Sequence, residues 1–358
     1  MICPYYDTCG GCSQQHLSYE QQLAHKKQRI QHLVHQDVAV YHDQPFGYRN
    51  RMDFICTPKG LGLRHQSEKN TIIVTQACPI ANEGINTLLA WLQPHMKGLD
   101  VFQPKKRKGT FRYCVIRATS LQTSVTFILN KQSSTLEEAT SYIKQLDIPA
   151  HTVCIGYVDG NTESTTAYDA YAIKGNVDIQ EQLLGHTFSF SSQGFFQNNT
   201  AVAHLLHTYV REQLDEHIPV LADIYSGVGT FGILNANKAQ QVHCVESYPD
   251  IIRYIEQNAQ RAGVQHVHAY GQDAKTVYKL GIKPHTVIVD PPRSGMDNKT
   301  ITWLEMCGAK KLIYISCNPQ QTVKELSRLS GYVLKKVAMF DMFPQTHHTE
   351  VVFVLEKE

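Results

Sequence analysis

Two segments place a chemically reactive side chain directly after a predicted strand. Residues 290–293 read Asp-Pro-Pro-Arg and residues 316–319 read Ser-Cys-Asn-Pro, each after an apolar run. Because an open parallel sheet binds ligands beyond the carboxyl ends of its strands, these side chains are candidates for catalysis. The two prolines hold Asp290 stiffly, and Pro319 can open a helix whose N-terminus would favour the thiolate of Cys317. Alternatively, Cys317 is a small buried hydrophobic residue.

A glycine-rich turn follows the first predicted strand of the same half. Residues 223–232 read DIYSGVGTFG, and their glycines let the backbone bend sharply and approach a ligand closely. Glu246 ends the next predicted strand, where a carboxylate can accept both hydroxyls of a ribose. The G-x-G-x-x-G spacing alone also fits a dinucleotide site or a purely structural turn. The two later motifs carry chemistry that hydride transfer does not need, so we favour S-adenosylmethionine as the ligand.

Two further segments could complete such a site. Residues 343–350 read FPQTHHTE, and Glu350 directly precedes the apolar strand 351–355. It can therefore point over the ligand edge of the sheet, although a loop glutamate is normally a solvated charge. Residues 194–199 read GFFQNN. Their two aromatic rings could stack on a base beside amides that read its edge, or they could pack in a core.

The helices and strands predicted around these residues indicate a mixed α/β chain. From about residue 219, short apolar strands alternate with helices, which favours a parallel sheet covered on both faces. The final strands, 331–340 and 350–357, have no helix between them and must be antiparallel or pair at the sheet's edge. The strand-rich region from about 45 to 185 predicts an α+β domain, and an apolar face is expected on a helix near residues 23–34.

Composition limits the class of protein. The 358 residues carry 34 Lys+Arg and 32 Asp+Glu, with 42% hydrophobic and 18% charged residues, which excludes a disordered chain. No apolar run approaches the ~20 residues of a membrane span, and no signal peptide is visible. We therefore expect a cytoplasmic protein without a membrane partner. In a reducing cytosol, clustered cysteines indicate metal binding or catalysis rather than disulfides.

The N-terminal cysteines form such a cluster. Cys3, Cys9 and Cys12 are closely spaced, and Cys78 is the expected fourth member. Structural zinc sites commonly use two short Cys pairs, whereas only one pair is present here. Four cysteines also suit a [4Fe–4S] cluster. Zinc, and an unrelated buried thiol at Cys78, remain the alternatives on this evidence.

Basic residues concentrate in the first third of the chain. Runs at 26–29, 49–51 and 105–108 are by type most often solvated faces. With a base-modifying site in the same chain, the last two runs are expected to contact phosphates. The aromatic residues interleaved with them would stack on bases: these are Phe46, Tyr48, Phe111 and Tyr113.

Together these motifs resemble the RNA uracil-5-methyltransferase family, in family order and over nearly the whole chain. The resemblance implies a C-terminal class I (Rossmann-like) methyltransferase sheet, an N-terminal iron–sulfur segment and a central α+β RNA-binding domain. The corresponding segments would be 1–95 (the iron–sulfur segment and the start of the RNA-binding region), 96–185 and 186–358. It further implies a catalytic nucleophile, a general base, five S-adenosylmethionine contacts and four ligands of a [4Fe–4S] cluster. The nucleophile would be Cys317 and the general base Glu350. The cofactor contacts would be Gln197, Tyr225, Glu246, Asp273 and Asp290. The cluster ligands would be Cys3, Cys9, Cys12 and Cys78.

The residue types suit that reaction. Carbon 5 of uracil becomes nucleophilic when a thiolate adds to carbon 6, and a base must later remove the carbon-5 proton. The chain starts at the cysteine segment, without an N-terminal oligonucleotide-binding barrel, and so looks most like the bacterial 23S rRNA enzymes. We therefore expect 23S rRNA as the substrate, with tRNA as the alternative and no obligate protein partner. Other readings are methylation of an exocyclic amine, an NAD-dependent oxidoreductase and a non-catalytic iron–sulfur RNA-binding module.

Overall fold

A computed structural model describes residues 3–68, 70–167 and 169–358. Its helices are Tyr19–Val34 (α1), Glu83–His95 (α2), Leu136–Gln145 (α3), Thr200–Gln213 (α4), Thr230–Leu234 (α5), Pro249–Arg261 (α6), Asn298–Met306 (α7) and Pro319–Leu326 (α8). Short 3-10 helices cover Ala236–Lys238 and Ala274–Leu280. The strands are Ala39–Tyr41 (β1), Arg51–Thr57 (β2), Gly60–Arg64 (β3), Ile72–Val74 (β4), Phe111–Ala118 (β5), Thr123–Asn130 (β6), Thr152–Val158 (β7), Tyr171–Lys174 (β8), Asp178–Leu183 (β9), His186–Ser191 (β10), Ile218–Ile224 (β11), Ala239–Glu246 (β12), Val267–Gly271 (β13), Thr286–Val289 (β14), Lys311–Ser316 (β15), Tyr332–Phe340 (β16) and Glu350–Lys357 (β17).

The described residues form two compact units, each discontinuous in sequence. The first unit comprises Met1–Ser18, Gln44–Glu181 and Phe190–Thr200, and the second comprises Tyr19–Asp43, Gln182–Ser189 and Ala201–Glu358. These limits differ from the predicted segments 1–95, 96–185 and 186–358. Strands from both sides of residue 95 share one sheet in the first unit, because β2 pairs with β5. Residues 19–43 were expected beside the cysteines but belong to the second unit.

The second unit contains a sheet in the order β1-β16-β17-β15-β14-β11-β12-β13 among the described strands. Strands β11 to β15 run parallel, as the alternation of strands and helices predicted. Strand β17 is antiparallel to both of its neighbours, β15 and β16, which confirms the prediction for the final pair. The short β1 extends the sheet by pairing in parallel with β16, an addition that the sequence did not indicate.

The first unit contains a sheet in the order β4-β3-β2-β5-β6-β7-β8 within the described part of the chain. Alternate residues of β2 are buried, as expected for a strand with one face on a core, whereas β5 is buried throughout. Helix α2 packs against β3 and β5 and covers this core. Among the described residues, no helix has the length and apolar character required to cross a membrane.

Candidate active site

Strand register in the second unit brings the thiol and the glutamate together. Strands β11, β12, β14 and β15 end at one side of the sheet, which we call the carboxyl edge. Cys317 directly follows β15 at this edge. Ser316 pairs with Val351 across the antiparallel strands, so the next residues in register are Cys317 and Glu350. Asp290 directly follows β14, which pairs with β15. The sequence placed these three residues at strand ends, and the fold places them side by side.

The carboxyl groups at this edge are buried together, and this changes their acidity. Burial first, and the charge of Asp290 second, raise the pKa of Glu350 well above its ordinary value. Burial also raises the pKa of Asp290 to about 7. Glu350 is only 6% exposed, so it is not the solvated surface charge that a loop position would suggest. A carboxyl with a raised pKa is a stronger base once ionised, which suits proton abstraction near neutral pH.

Burial opposes the thiolate form of Cys317 that its place before a helix predicted. Cys317 is half-buried and lies two residues before the start of α8, as predicted. However, burial, followed by the negative charges of Glu350 and Asp290, raises its pKa to about 11. The positive charge of Arg293 acts in the opposite direction but does not prevail. The sequence argument considered the helix terminus alone, whereas burial and two carboxyl groups from other strands act against it.

The glycine-rich turn has the geometry of a ligand cradle. Tyr225, Gly227 and Gly229 adopt positive φ values of 64°, 53° and 84°, so the chain reverses sharply after β11. A Cβ placed on Gly227 would meet no atom within 4 Å, which leaves open space beside that backbone. A Cβ on Gly232 would lie 2.6 Å from the sulfur of Cys244, so this glycine is needed for packing. The turn therefore serves both close packing and backbone access.

Two carboxylates hold this turn in place. The Gly227 N–H donates to Glu246 Oε2 at 3.0 Å, and the Gly232 N–H donates to Asp223 Oδ2 at 2.8 Å. Asp223 is fully buried, and its Oδ1 atom has no hydrogen-bond partner among the described residues. Burial raises the pKa of Asp223 to about 7, with smaller contributions from Asp290 and Glu246. The sequence used Asp223 only as the start of the motif and missed this buried acid.

The predicted cofactor residues fall in both units. Tyr225, Glu246 and Asp290 occupy the carboxyl edge, and Asp273 follows β13 in the same unit. The Asp273 side chain accepts a hydrogen bond from the Lys275 N–H at 3.0 Å and pairs with Lys275 Nζ at 2.7 Å. Gln197 belongs to the first unit, where its carbonyl accepts a hydrogen bond from Asn50 Nδ2 at 2.9 Å.

The residues of the second unit fit S-adenosylmethionine. Its sulfonium cation and ribose hydroxyls call for carboxylates, and the carboxyl edge supplies Glu246 and Asp290 beside the open space at Gly227. The unpartnered Asp223 Oδ1 is a further buried acceptor at the base of the turn. A buried polar atom without a partner is costly, so such an atom commonly marks a functional site.

The four N-terminal cysteines line one cavity in the first unit. Cys3, Cys9, Cys12 and Cys78 surround a cavity of about 540 Å³. Burial first, together with the other three thiols, raises the pKa of Cys12 to about 11. The Cys78 N–H donates to Asn86 Oδ1 at 2.8 Å, which fixes the most distant cysteine in the chain. Across the described ranges, no three His, Cys, Asp or Glu side chains converge as they would on a single metal ion.

The expected aromatic contacts to RNA are contradicted by burial. Tyr48, Phe111 and Tyr113 are 8%, 3% and 7% exposed, and Phe46 packs against the same core. Burial therefore keeps Tyr48, Phe111 and Tyr113 from stacking on bases, whereas Phe46 is only partly buried. Both faces of β5 are covered, so aromatic residues alternating with basic ones here do not indicate an exposed surface. The basic run 105–108 is exposed.

The two aromatic residues of the GFFQNN segment differ: one packs in a core, and the other is exposed and could stack on a base. Phe196 is buried and stacks on Phe190 at 4.4 Å between ring centroids, whereas Phe195 is 69% exposed. The buried Arg117 donates from Nη2 to the Gly194 carbonyl at 2.8 Å, and its guanidinium lies 5.0 Å from the Phe190 ring. An arginine on β5 thus fixes the segment and leaves one ring free to contact a ligand.

The raised pKa of Cys317 predicts slow alkylation at neutral pH. Because the thiolate is the nucleophile, the iodoacetamide rate at Cys317 should rise about tenfold per pH unit between pH 7 and 9. Mass spectrometry of the Cys317 peptide measures this rate, with the half-buried Cys307 followed in the same digest as a comparison thiol. A rate that levels off below pH 8 would contradict the assignment.

Comparisons with known proteins agree with this arrangement. The family model described as tRNA (Uracil-5-)-methyltransferase matches residues 18–275 and 274–358. A tRNA (uracil(54)-C(5))-methyltransferase of Pyrococcus horikoshii is 33% identical over 356 residues, covering 98% of this chain and 84% of that protein. An uncharacterized RNA methyltransferase of Caldanaerobacter subterraneus subsp. tengcongensis is 30% identical over 383 residues, covering 99% and 84%.

A solved structure gives the same result at the level of the fold. The tRNA (uracil-54, C5)-methyltransferase of Pyrococcus abyssi, in complex with S-adenosyl-L-homocysteine, superposes with a TM-score of 0.82 at 26% identity. The match covers 96% of this chain and 85% of that one. With the family model matching nearly the whole chain, the conclusion is that this chain belongs to the tRNA (uracil-5-)-methyltransferase family.

Proposed function

We propose that the protein methylates carbon 5 of a uridine in RNA, with Cys317 as nucleophile and Glu350 as general base. The observation that carries this proposal is the register of β15 and β17, which sets a half-buried thiol beside a buried carboxyl group at the carboxyl edge. Methylation of an exocyclic amine would need neither residue, and an oxidoreductase would not need the pair. Membership of the family supports the same reaction.

Each group has a defined task. After losing its proton to solvent, Cys317 adds as the thiolate to carbon 6 of the ring, and the electron pair of the carbon 5–carbon 6 double bond moves onto the ring as an enolate. After carbon 5 has gained its methyl group, Glu350 takes the proton from that carbon. The bond from sulfur to carbon 6 then breaks, which restores the double bond and the free thiolate. The burial that raises the pKa of Glu350 makes it a competent acceptor.

The cofactor proposed for this edge is S-adenosylmethionine, which supplies an electrophilic methyl group on a sulfonium sulfur. Tyr225, Glu246 and Asp290 would hold it, with Asp273 as a further contact from the end of β13. Gln197 stays a cofactor contact predicted from the sequence resemblance alone. The acidic character of the carboxyl edge suits a cationic ligand, because bound positive charge offsets the mutual repulsion of these carboxylates.

The RNA target is proposed to be tRNA. The sequence favoured 23S rRNA through its resemblance to the bacterial ribosomal enzymes. Relatives from Pyrococcus furiosus and Pyrococcus horikoshii that match 98–99% of this chain are named for uracil 54 of tRNA instead. The structural relative from Pyrococcus abyssi carries the same description. These names support the tRNA alternative better than the initial preference, and we propose uridine 54 as the methylated position.

The four-cysteine cavity is proposed to hold a [4Fe–4S] cluster. A single zinc ion is the alternative, and it would need all four sulfurs at about 2.3 Å from one point. A cluster occupies the space between its ligands, and the cavity of about 540 Å³ offers such space. Burial raises the pKa of Cys9 and of Cys78, and backbone N–H groups of Gly11 at Cys9 and of Ile80 and Ala81 at Cys78 act in the opposite direction.

The first functional prediction separates the two catalytic steps. Cys317→Ala should form neither 5-methyluridine nor a covalent enzyme–RNA complex, because no sulfur attacks carbon 6. Glu350→Gln should trap a methylated covalent complex, because the carbon-5 proton cannot leave. Both products are measured with a radiolabelled methyl group, by separating free RNA from the covalent enzyme–RNA complex on denaturing gels. Cys307→Ala removes a half-buried thiol elsewhere in the same unit and should keep wild-type turnover. Normal turnover by Cys317→Ala would refute the mechanism.

The second prediction concerns the target. Unmodified tRNA transcript should gain one 5-methyluridine per molecule, located at position 54 by nuclease digestion and mass spectrometry. The matched transcript with cytidine at position 54 should gain none, because the uracil ring is absent. Methylation of a 23S rRNA transcript at a comparable rate, with tRNA unmodified, would restore the initial preference and overturn this one.

The third prediction concerns the cysteine cavity. Protein purified without oxygen should contain about four irons and four sulfides per chain, with broad absorbance in the visible range. Cys12→Ser should lose most of this iron because one ligand is missing. Cys56→Ala removes a buried thiol from the same unit outside the cavity and should retain it. Stoichiometric zinc without iron would refute the cluster.

A further inference from the structure

Helix α1 buries a polar stripe in addition to part of its expected apolar face, since Leu23 and Val34 pack partly buried against the core that contains Ile30. Gln22, Lys26 and Ile30 lie four residues apart on one face and are 1%, 2% and 1% exposed. The sequence predicted an apolar face of Leu23, Ile30, Leu33 and Val34, of which Ile30 alone is fully buried among the described residues. Burying a lysine is costly unless a partner neutralises it. The contacts of this stripe therefore require a structural or functional reason.

The partner of Lys26 is the residue that follows strand β16. Lys26 Nζ lies 2.6 Å from Asp341 Oδ1 and donates to the Phe343 carbonyl at 3.2 Å. The Tyr19 hydroxyl donates to Asp341 Oδ2 at 2.9 Å, so both carboxylate oxygens are engaged. The Asp341 side chain is fully buried as well. Removing either member leaves an uncompensated buried charge.

Two further contacts run along the same connection between β16 and β17. Gln22 Nε2 donates to Gln345 Oε1 at 3.0 Å, and the Gln345 N–H donates to Gln22 Oε1 at 3.0 Å. This pair fixes Gln345 in a left-handed conformation with φ of 67°. Arg29 Nη2 donates to Thr349 Oγ1 at 3.1 Å. Residues 19, 22, 26 and 29 of one helical face therefore hold residues 341–349 from end to end.

The last of these contacts adjoins the proposed base. Glu350 is the first residue of β17 and follows Thr349 directly, so the conformation of residues 341–349 acts together with the pairing to β16 in setting where its carboxyl group lies. Cys317 lies after β15 and depends on none of the α1 contacts just described. Helix α1 also packs against α8, which begins two residues after Cys317, but the side-chain contacts described above all reach residues 341–349.

We propose that Lys26 and Asp341 are positioning residues for Glu350, and that α1 acts in proton removal from carbon 5 rather than in attack by Cys317. The inference rests on the proposed function, because it assigns α1 to one of that reaction's two steps. The proposal concerns residues whose described contacts include neither Cys317 nor the glycine-rich turn. It predicts that the rate of 5-methyluridine release changes while the rate of covalent-complex formation does not.

The test compares two lysines on the same helix. Lys26→Met keeps most of the side-chain volume and removes the buried charge. Lys27→Met is the matched control, because Lys27 pairs at 3.3 Å with the exposed Asp37 at the surface. Rapid-quench reactions of the full chain with tRNA measure formation of the covalent complex and release of 5-methyluridine separately. Thermal melting of each variant reports on folding.

For Lys26→Met we expect the covalent complex to form within about twofold of the wild-type rate. Release should slow at least tenfold, so that methylated complex accumulates, because a general base contributes about 10²–10⁴-fold. Lys27→Met should match the wild type in both steps. Equal slowing of both steps by Lys26→Met, or wild-type behaviour, would overturn the proposal.

A milder variant covers the case in which Lys26→Met does not fold. Thr349→Val keeps the shape of the side chain and removes the acceptor for Arg29, so release should slow about threefold with complex formation unchanged. Unchanged release in folded Thr349→Val protein would then overturn the proposal. If wild-type protein forms neither complex nor product, the proposed function itself fails. If wild-type protein turns over and the variants match it, the role of α1 alone is refuted.

Discussion

The antiparallel position of β17 between β15 and β16 is the constraint on which the rest of the site depends. Without that strand, Cys317 would end a parallel sheet beside Asp290 and no base would face it. With it, the start of one strand meets the end of another, and Glu350 enters the site through backbone pairing rather than through a flexible loop. A one-residue shift in this register would turn Glu350 to the opposite face of the sheet.

Desolvation sets the acidity of the side chains where β15 and β17 meet. Glu350, Asp290 and Asp223 all have raised pKa values, and the same burial raises that of the Cys317 thiol. The ligand-free site is thus a set of acids that hold their protons more tightly than in water. Positive charge brought by a ligand would relieve this repulsion, so cofactor binding and readiness of the thiol are coupled through electrostatics.

Sequence reasoning found most of the chemistry because each reactive residue directly follows or precedes an apolar strand. Cys317, Asp290 and Glu246 needed only the rule that ligands gather at the carboxyl ends of parallel strands. The ionisation of Cys317 could not be found in this way, because its strongest charged neighbours come from other strands. Phe111 and Tyr113 were misassigned for a related reason: burial on both faces of β5 depends on what packs there. Lys26 was read as part of a solvated run because its partner is 315 residues away.

That separation has a consequence for folding during synthesis. Helix α1 emerges from the ribosome early, yet Asp341 follows it by 315 residues. At about 5–20 residues per second, Lys26 waits about 15–60 seconds before its counter-charge exists. The edge strand β1 waits equally long for β16. Throughout that interval the polar stripe of α1 is better hydrated than buried, so the helix docks only after the first unit has been translated. The nascent chain thus completes its catalytic sheet last, and from both ends of the sequence.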